Sequence, residues 1–267
     1  PLAGGPAHRL TIAAGVESFA LFSPDGKWIA FTGNYDGNLD AYVMPAAGGE
    51  PKRLTWHPGG DVVAAWTPDG DVVYRSMQDN GVYIFQCYKI SPEGGFPEKL
   101  PIDWVSHLSF EPNGERVAYT QFSLGSRTWK RYKGGWAEQI WVGSLKTHDY
   151  KKVTTWEGNN ATPMWYKDRI YFMRDNDARM NLHSMKPDGS DVQQLTFHTD
   201  WDARWPTLSN GRIGYSLGAD LWVYDIDKNE TKKLDITLPS DRIQARDKFV
   251  SPEDYTGDFA LSPDGKR

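Results

Sequence analysis

The sequence predicts an all-β fold, a β-propeller of the six-bladed type with five complete four-stranded blades and an incomplete sixth. A turn of the Pro-Asp-Gly type recurs with Gly26, Gly70 and Gly114 spaced 44 residues apart, and weaker copies follow at 165–169 and 208–212. Short runs with alternating polarity, rich in β-branched and aromatic residues, surround each turn. These runs are typical of strands and hairpins, and a period of about 40–50 residues with several strands per repeat is typical of a propeller blade.

Each repeat is predicted to hold four strands, the first ending at the turn and the second following it. The third strands are predicted at 39–43, Tyr83–Phe85, 139–142, 181–183 and 221–224. The inner strands of a propeller surround its axis, so the first strands should line a channel. Those segments are Phe19–Phe22, Val63–Trp66, His107–Phe110, Thr162–Trp165 and Arg204–Thr207.

The domain organisation follows from the repeat boundaries. Residues 1–236 are predicted to form the propeller, with blades at 13–56, 57–103, 104–157, 158–198 and 199–236. Residues 1–12 match only the last strand of a truncated blade, with the strand itself at Ala7–Ile12. The charged, proline-containing stretch 237–258 is predicted to be a linker, and 259–267 the first strand of a following blade or second propeller. The chain therefore reads as a segment of a longer protein.

Composition excludes several function classes. The formal net charge is −5, and the lysines and arginines are scattered, so a nucleic-acid surface is not expected. The sequence has no run of 18 apolar residues that would predict a membrane span. The single cysteine, Cys87, rules out an internal disulfide and any zinc site built on several cysteines. It lies in an apolar run, which favours a buried, inert thiol.

Two stretches resemble a known family. The run Ser23–Gly26, continuing through 35–45 and 48–55, resembles the propeller repeats of TolB and tricorn-type proteins. The stretch Trp129–Gly135, followed by 139–142, is similar to the long insertion in the third complete blade of the six-bladed propeller of tricorn proteases. The resemblance covers essentially the whole chain.

This resemblance implies a part of a large serine peptidase that degrades oligopeptides. Such proteins carry two propellers, a PDZ-like domain and a catalytic domain, and they assemble as homo-oligomers. The implied partners are peptide substrates and downstream domains of the same chain, without nucleic acid, membrane or cofactor. The catalytic groups of the family would follow Arg267, so no catalytic residue is assigned here. The family default is the cytoplasm, and the periplasm stays open.

One insertion is the candidate contact site. Basic side chains alternate with aromatic ones at Arg127, Trp129, Lys130, Arg131, Tyr132 and Lys133. The stretch is predicted to be a solvated loop or a contact with a neighbouring domain, with a contact to a peptide carboxylate or to a partner as the alternative. The family is also thought to hold substrate C-termini with basic groups on the propeller side. The corresponding loop here, His57–Asp61, is short and has no arginine.

Other motifs favour structural roles. Gly214–Gly218 matches the nucleophile-elbow pattern around Ser216, but a strand follows it where the elbow requires a helix, so a hairpin is predicted. The histidines at 8, 57, 107, 148, 183 and 198 lack metal-binding spacing. The loop acids at 36, 40, 175 and 177 are expected to bond the backbone of their own turns.

Three functions remain open at this stage. The chain can be the non-catalytic propeller of a tricorn-like protease that acts as substrate channel, gate and assembly surface. It can also be a TolB-like propeller that serves as a protein-binding scaffold, or the propeller lid of a prolyl-oligopeptidase-type enzyme. The insertion and the linker favour the first of these.

Overall fold

Five antiparallel four-stranded sheets make up most of the molecule. The computed structural model describes residues 2–79, 84–123, 130–176, 179–240 and 247–266. Blade 1 contains β2 (Glu17–Phe22), β3 (Trp28–Gly33), β4 (Asp40–Pro45) and β5 (Lys52–Arg53). Blade 2 contains β6 (Val62–Trp66), β7 (Val72–Ser76), β8 (Gln86–Ile90) and β9 (Glu98–Asp103). Blade 3 contains β10 (His107–Phe110), β11 (Arg116–Thr120), β12 (Ile140–Ser144) and β13 (Tyr150–Lys152).

Blade 4 contains β14 (Asn160–Tyr166), β15 (Arg169–Arg174), β16 (Asn181–Met185) and β17 (Gln193–Gln194). Blade 5 contains β18 (Ala203–Ser209), β19 (Arg212–Leu217), β20 (Asp220–Asp225) and β21 (Glu230–Leu234). In every blade the strands pair in chain order. One 3₁₀ helix lies at Pro252–Asp254. Within the described ranges no helix is long and apolar enough to cross a membrane.

The Pro-Asp-Gly turns form because residues of the turn make hydrogen bonds to one another. In the first copy the Ser23 hydroxyl donates to Asp25 at 2.7 Å and accepts from the Trp28 N–H at 3.0 Å. Gly26 has φ +71°, a left-handed conformation that a glycine adopts without steric cost. The repeated turn therefore fixes where each first strand ends.

The hydrophobic core lies between consecutive blades. Val43 and Val63 belong to a cluster shared by blades 1 and 2, and Val73 and Val117 to one shared by blades 2 and 3. Two further clusters join blades 3 and 4, and blades 4 and 5. These clusters bury apolar side chains of two blades at once, so the stability of a blade depends on its neighbours in the ring.

A threonine after the fourth strand anchors the third strand in three blades. The Thr55, Thr154 and Thr196 hydroxyls accept from the N–H groups of Ala41, Ile140 and Leu182 at 3.0, 3.1 and 2.9 Å. Each hydroxyl also donates to the polar side chain that precedes that N–H, in Asp40, Gln139 and Asn181. Buried backbone donors are thereby satisfied where the ladder ends.

Five four-stranded blades are confirmed, but no sixth blade is present among the residues described. The strand predicted at Ala7–Ile12 is wrong. The chain pairs instead at β1 (Gly5–Pro6), parallel to β22 (Ile236–Thr237). Ile12 is 92% exposed, so this segment has no sheet beside it to complete a ladder. Residues 259–262 likewise form no strand, and their assignment to a following blade stays a prediction.

The third strand of blade 2 also differs from the prediction. It was expected at Tyr83–Phe85, and Tyr83 lies outside the described residues, but the strand runs over β8 instead. The apolar run there contains no turn residue that marks a start. Strand pairing sets the start of β8. Gln86 lies opposite Ser76, and the Gln86 side-chain amide donates to Asp103 at 2.7 Å.

Candidate functional site

The five inner strands surround one cavity of about 870 Å³. Residues of β2, β6, β10, β14 and β18 line it together. All five segments predicted as first strands therefore line the cavity, as the channel prediction required.

The two ends of this cavity differ in chemistry. Where the first strands end, it is lined by turn residues that include Pro24, Pro68 and Pro112. Where they begin, the wall includes Arg75 and His107. The cavity lining thus has no charged side chain at the first end, whereas at the other end it includes charged and titratable groups.

Arg75 is the fixed charge of the polar mouth. Its guanidinium donates to the Ser106 carbonyl and hydroxyl at 2.7 and 2.9 Å. The guanidinium carbon lies 5.6 Å from the Phe19 ring centroid and 5.1 Å from that of Phe85, a cation–π geometry. Burial lowers the pKa of Arg75. Burial and the nearby Arg75 charge lower the pKa of His107 to about 3, so His107 is neutral near pH 7.

Sequence analysis missed Arg75. The only available signal was one arginine within the apolar strand β7. Burying a charge is costly unless it is hydrogen-bonded, so an isolated arginine in such a strand indicates a specific partner.

Three inner strands carry strained bulges at equivalent positions. In β2 the pairing shifts between Ser18 and Leu21, and corresponding shifts occur in β14 and β18. Phe19, Thr162 and Trp205 lie within these bulges at φ of 54, 50 and 54°. Left-handed backbone costs non-glycine residues about 1–2 kcal/mol each. All three side chains line the cavity, and strain of this kind clusters at functional sites.

The predicted insertion makes contacts within the chain. Lys130 Nζ lies 3.0 Å from Asp202 Oδ2, which joins the insertion of blade 3 to the start of blade 5. Lys133 Nζ lies 4.7 Å from the Trp156 ring centroid. Lys130 and Arg131 line a small cavity of about 90 Å³ beside the polar mouth. Arg127 and Trp129 lie outside the described residues.

An aromatic surface lies next to the insertion. The Trp104 and Phe122 ring centroids are 5.2 Å apart, and those of Phe122 and Trp136 are 5.1 Å apart. Trp104 is 40% exposed and Trp136 50% exposed. Tyr132 is half-buried. Its hydroxyl packs so closely on Gly134 that a Cβ at that position would lie only 2.6 Å from it. A contact of this surface or the insertion with another domain stays a prediction.

Ser216 is not arranged as a nucleophile. Its hydroxyl donates to the Arg204 carbonyl at 3.1 Å, and β19 continues into β20 as an antiparallel hairpin. The hairpin prediction is confirmed. The buried thiol is confirmed too, since Cys87 is fully buried, and burial raises its pKa to about 12.

The loop acids were partly misread. Asp36 and Asp40 each accept from Arg53 at 2.7 Å, and Asp175 binds a neighbouring loop through the Asn159 N–H at 2.8 Å. These partners lie 13 to 17 residues away in the chain, beyond the turn itself, so a single-turn pattern does not reveal them. Asp177 lies outside the described residues.

The histidines are scattered as the sequence indicated. His198 Nε2 lies 2.9 Å from the Tyr215 hydroxyl, and His57 Nδ1 accepts from the Gly59 N–H at 3.0 Å. Across the part of the chain that the structure describes, no group of three or more His, Cys, Asp or Glu side chains could hold a metal ion.

Fold and cavity together define a β-propeller protein whose inner strands enclose an open channel with one polar mouth. Residues 1–230 match the family model described as the tricorn protease N-terminal beta propeller domain. The chain therefore belongs to this tricorn protease propeller family.

Relatives agree with that assignment. The chain is 30% identical to tricorn protease of Thermoplasma volcanium over 277 residues, which are 98% of this chain and 26% of the relative. It is 29% identical to a tricorn protease homolog of Saccharolobus solfataricus over 95% of this chain and 24% of the relative. The chain thus spans about a quarter of the length of these relatives.

Solved structures agree on the fold. The crystal structure of the tricorn protease superposes with a TM-score of 0.76 at 26% identity, covering 88% of this chain and 24% of that one. A TolB structure from Agrobacterium tumefaciens gives 0.64 at 19% identity, covering 82% of this chain and 80% of that one. The TolB likeness shows the fold alone.

Proposed function

We propose that this propeller is the substrate channel and gate of a tricorn-like serine protease that degrades oligopeptides. The observation that carries the proposal is the single cavity bounded by all five inner strands. In this proposal the catalytic groups lie in another domain, and Ser216, which lies in a nucleophile-like motif, donates instead to the Arg204 carbonyl of its hairpin. It acts by excluding folded proteins from a catalytic domain elsewhere in the parent protein.

The dimensions of polypeptides support this role. An extended chain needs only the space of one strand, about 4.8 Å from its neighbour within a sheet and about 10 Å across stacked side chains. A folded domain of 100 residues has a radius of gyration of about 13 Å. A channel as wide as one extended strand therefore admits the first and stops the second.

Narrowing the channel tests the proposal. Ala64 lines the cavity on β6, so Ala64→Trp in the full-length enzyme should slow cleavage of ten-residue peptides several-fold more than cleavage of dipeptide-sized reporters. The effect is measured as the ratio of kcat/KM for the ten-residue peptide to kcat/KM for the dipeptide-sized reporter. Ala47→Trp, at an exposed turn residue, is the matched control and should leave the ratio unchanged. Equal slowing of long and short substrates by Ala64→Trp would show that the channel does not gate.

A sixth blade would complete the ring. Blade 1 packs one face against blade 2. A separate apolar cluster, with Phe31, Tyr42 and Met44, lies on its other face. Leu221 of blade 5 is 51% exposed and Phe22 of blade 1 is 53% exposed. Apolar blade faces require a neighbour to bury them. We infer that a blade of the parent protein lies between blades 5 and 1, which gives the six-bladed type.

The aromatic surface of Trp104, Phe122 and Trp136 is the proposed assembly surface, together with the insertion. Exposed aromatic side chains that cluster together are typical anchors of protein interfaces. Their partner is a downstream domain or another subunit of a homo-oligomer in the cytoplasm, as the family implies. Trp136→Ala should raise the concentration at which the full-length oligomer dissociates about tenfold in sedimentation experiments. Phe96→Ala, at a fully exposed position, is the control; an unchanged oligomer with Trp136→Ala would exclude this surface as a contact between subunits.

A further inference from the structure

We propose that β10 binds an extended peptide inside the channel by strand addition. This inference rests on the proposed channel function and names the element that holds the substrate. Each inner strand pairs with one neighbour in its blade, so its second edge faces the axis with unpaired N–H and C=O groups. Such an edge can accept one more strand through main-chain hydrogen bonds.

Bulges interrupt four of the five inner edges. The pairing shifts within β2, β6, β14 and β18. A bulge bends the strand and breaks the regular spacing of its edge groups, which prevents a peptide from pairing along it. β10 is the exception within its own bounds: it pairs with β11 in continuous register from His107 to Phe110, and the irregular pairing lies before the strand, where the Ser106 N–H donates to the Thr120 carbonyl at 2.7 Å.

Neighbouring blades already use backbone donors on two of the bulged strands. The Trp165 N–H of β14 donates to the Ser109 hydroxyl at 2.8 Å, and the Val63 N–H of β6 donates to the Thr32 hydroxyl at 2.9 Å. These donors are unavailable to a ligand. In contrast, every residue of β10 lines the cavity.

The register identifies which groups of β10 face the axis. The Glu111 N–H donates to the Arg116 carbonyl at 2.9 Å. Every second residue counted back from Glu111, including Ser109, therefore directs its N–H and C=O groups towards β11. Antiparallel strands alternate the direction of their backbone groups. Leu108 and Phe110 therefore direct their N–H and C=O groups towards the axis, while their side chains remain buried.

The occupant that fits is an extended peptide of unrestricted sequence. Main-chain pairing reads no side chain, and His107 is neutral at this wall because of its lowered pKa. Four residues of strand span about 13 Å, which allows only a few hydrogen bonds. Binding is therefore weak and reversible, as passage through a channel requires.

Amide hydrogen exchange with single-residue resolution tests the proposal in the full-length protein, inactivated by a serine-directed phosphonate. The probe is an end-capped ten-residue peptide of alternating threonine and serine. At saturation it should slow exchange at Leu108 and Phe110 at least about fivefold. Ser109 is the internal control and should not change, because its N–H is already paired with β11. Protection elsewhere without protection at Leu108 and Phe110, or no binding, would overturn the proposal.

A second probe separates strand addition from general confinement. The same peptide with its four central nitrogens methylated cannot donate from either edge, so it should bind at least about fivefold more weakly. Equal binding of both peptides would refute strand addition. The selective slowing of long peptides by Ala64→Trp would still stand in that case, so failure here is distinguishable from failure of the channel.

Discussion

Replacing Asp61 by asparagine should raise the free energy of unfolding by about 1–3 kcal/mol at pH 8. Asp61 is fully buried at the start of blade 2, and neither carboxylate oxygen accepts a hydrogen bond of good geometry from a described residue; polar contacts with the Ser76 and Thr55 side chains compensate its burial only in part. Burial is the main cause of its raised pKa, and the Asp40 charge adds to it; nearby Ser76, Thr55 and His57 only partly oppose the shift. An unpaired ionised carboxylate in this place costs stability, and asparagine removes the charge.

The pH dependence gives the sign of this effect. Because the folded state raises the pKa of Asp61, folded protein holds the proton more tightly than unfolded protein, whose carboxyl titrates near 3.9. The wild type therefore loses stability as the pH rises from about 4 through the folded pKa. Urea unfolding at pH 4 and pH 8 should show a larger gain for Asp61→Asn at pH 8. The exposed turn variant Asp69→Asn is the control. A gain of equal size at both pH values would mean that ionisation of Asp61 is not the cause.

Asp175→Ala should lower the free energy of unfolding by about 3–5 kcal/mol. The Asp175 carboxylate is 9% exposed and accepts three hydrogen bonds. The donors are the Asn159 N–H at 2.8 Å, the Asn159 side-chain amide at 2.6 Å and the Trp156 indole at 3.0 Å. Alanine leaves these donors without a partner between blades 3 and 4, where burial makes an unmet hydrogen bond costly.

Two variants make the Asp175 test specific. Asp175→Asn keeps the shape and one acceptor oxygen, so its loss should be intermediate. Asp168→Ala removes an exposed carboxylate from the neighbouring hairpin turn and should change stability by less than about 0.5 kcal/mol. Chemical unfolding followed by tryptophan fluorescence measures all three. A loss for Asp175→Ala no larger than that for Asp168→Ala would show that the loop bonds do not contribute.

The sequence by itself determined the blades. Turns such as Ser23–Gly26 and the alternation of strands such as β3 are local signals, because a turn is specified by adjacent residues and a strand by a period of two. They predicted five four-stranded sheets and a channel lined by first strands. They also predicted the buried Cys87 and the hairpin at Ser216.

Only the tertiary structure decided what the channel wall contains. The bulge at Phe19, the guanidinium of Arg75 at the mouth and the unpaired Asp61 depend on the blade beside each residue. The bond from the Trp165 N–H to the Ser109 hydroxyl joins residues 56 positions apart in the chain, and Lys130 meets Asp202 across two blades. Local patterns specify pairing within a blade, but the free energies of burial, strain and charge are set where separate blades meet, and no short stretch of sequence contains both sides of that contact.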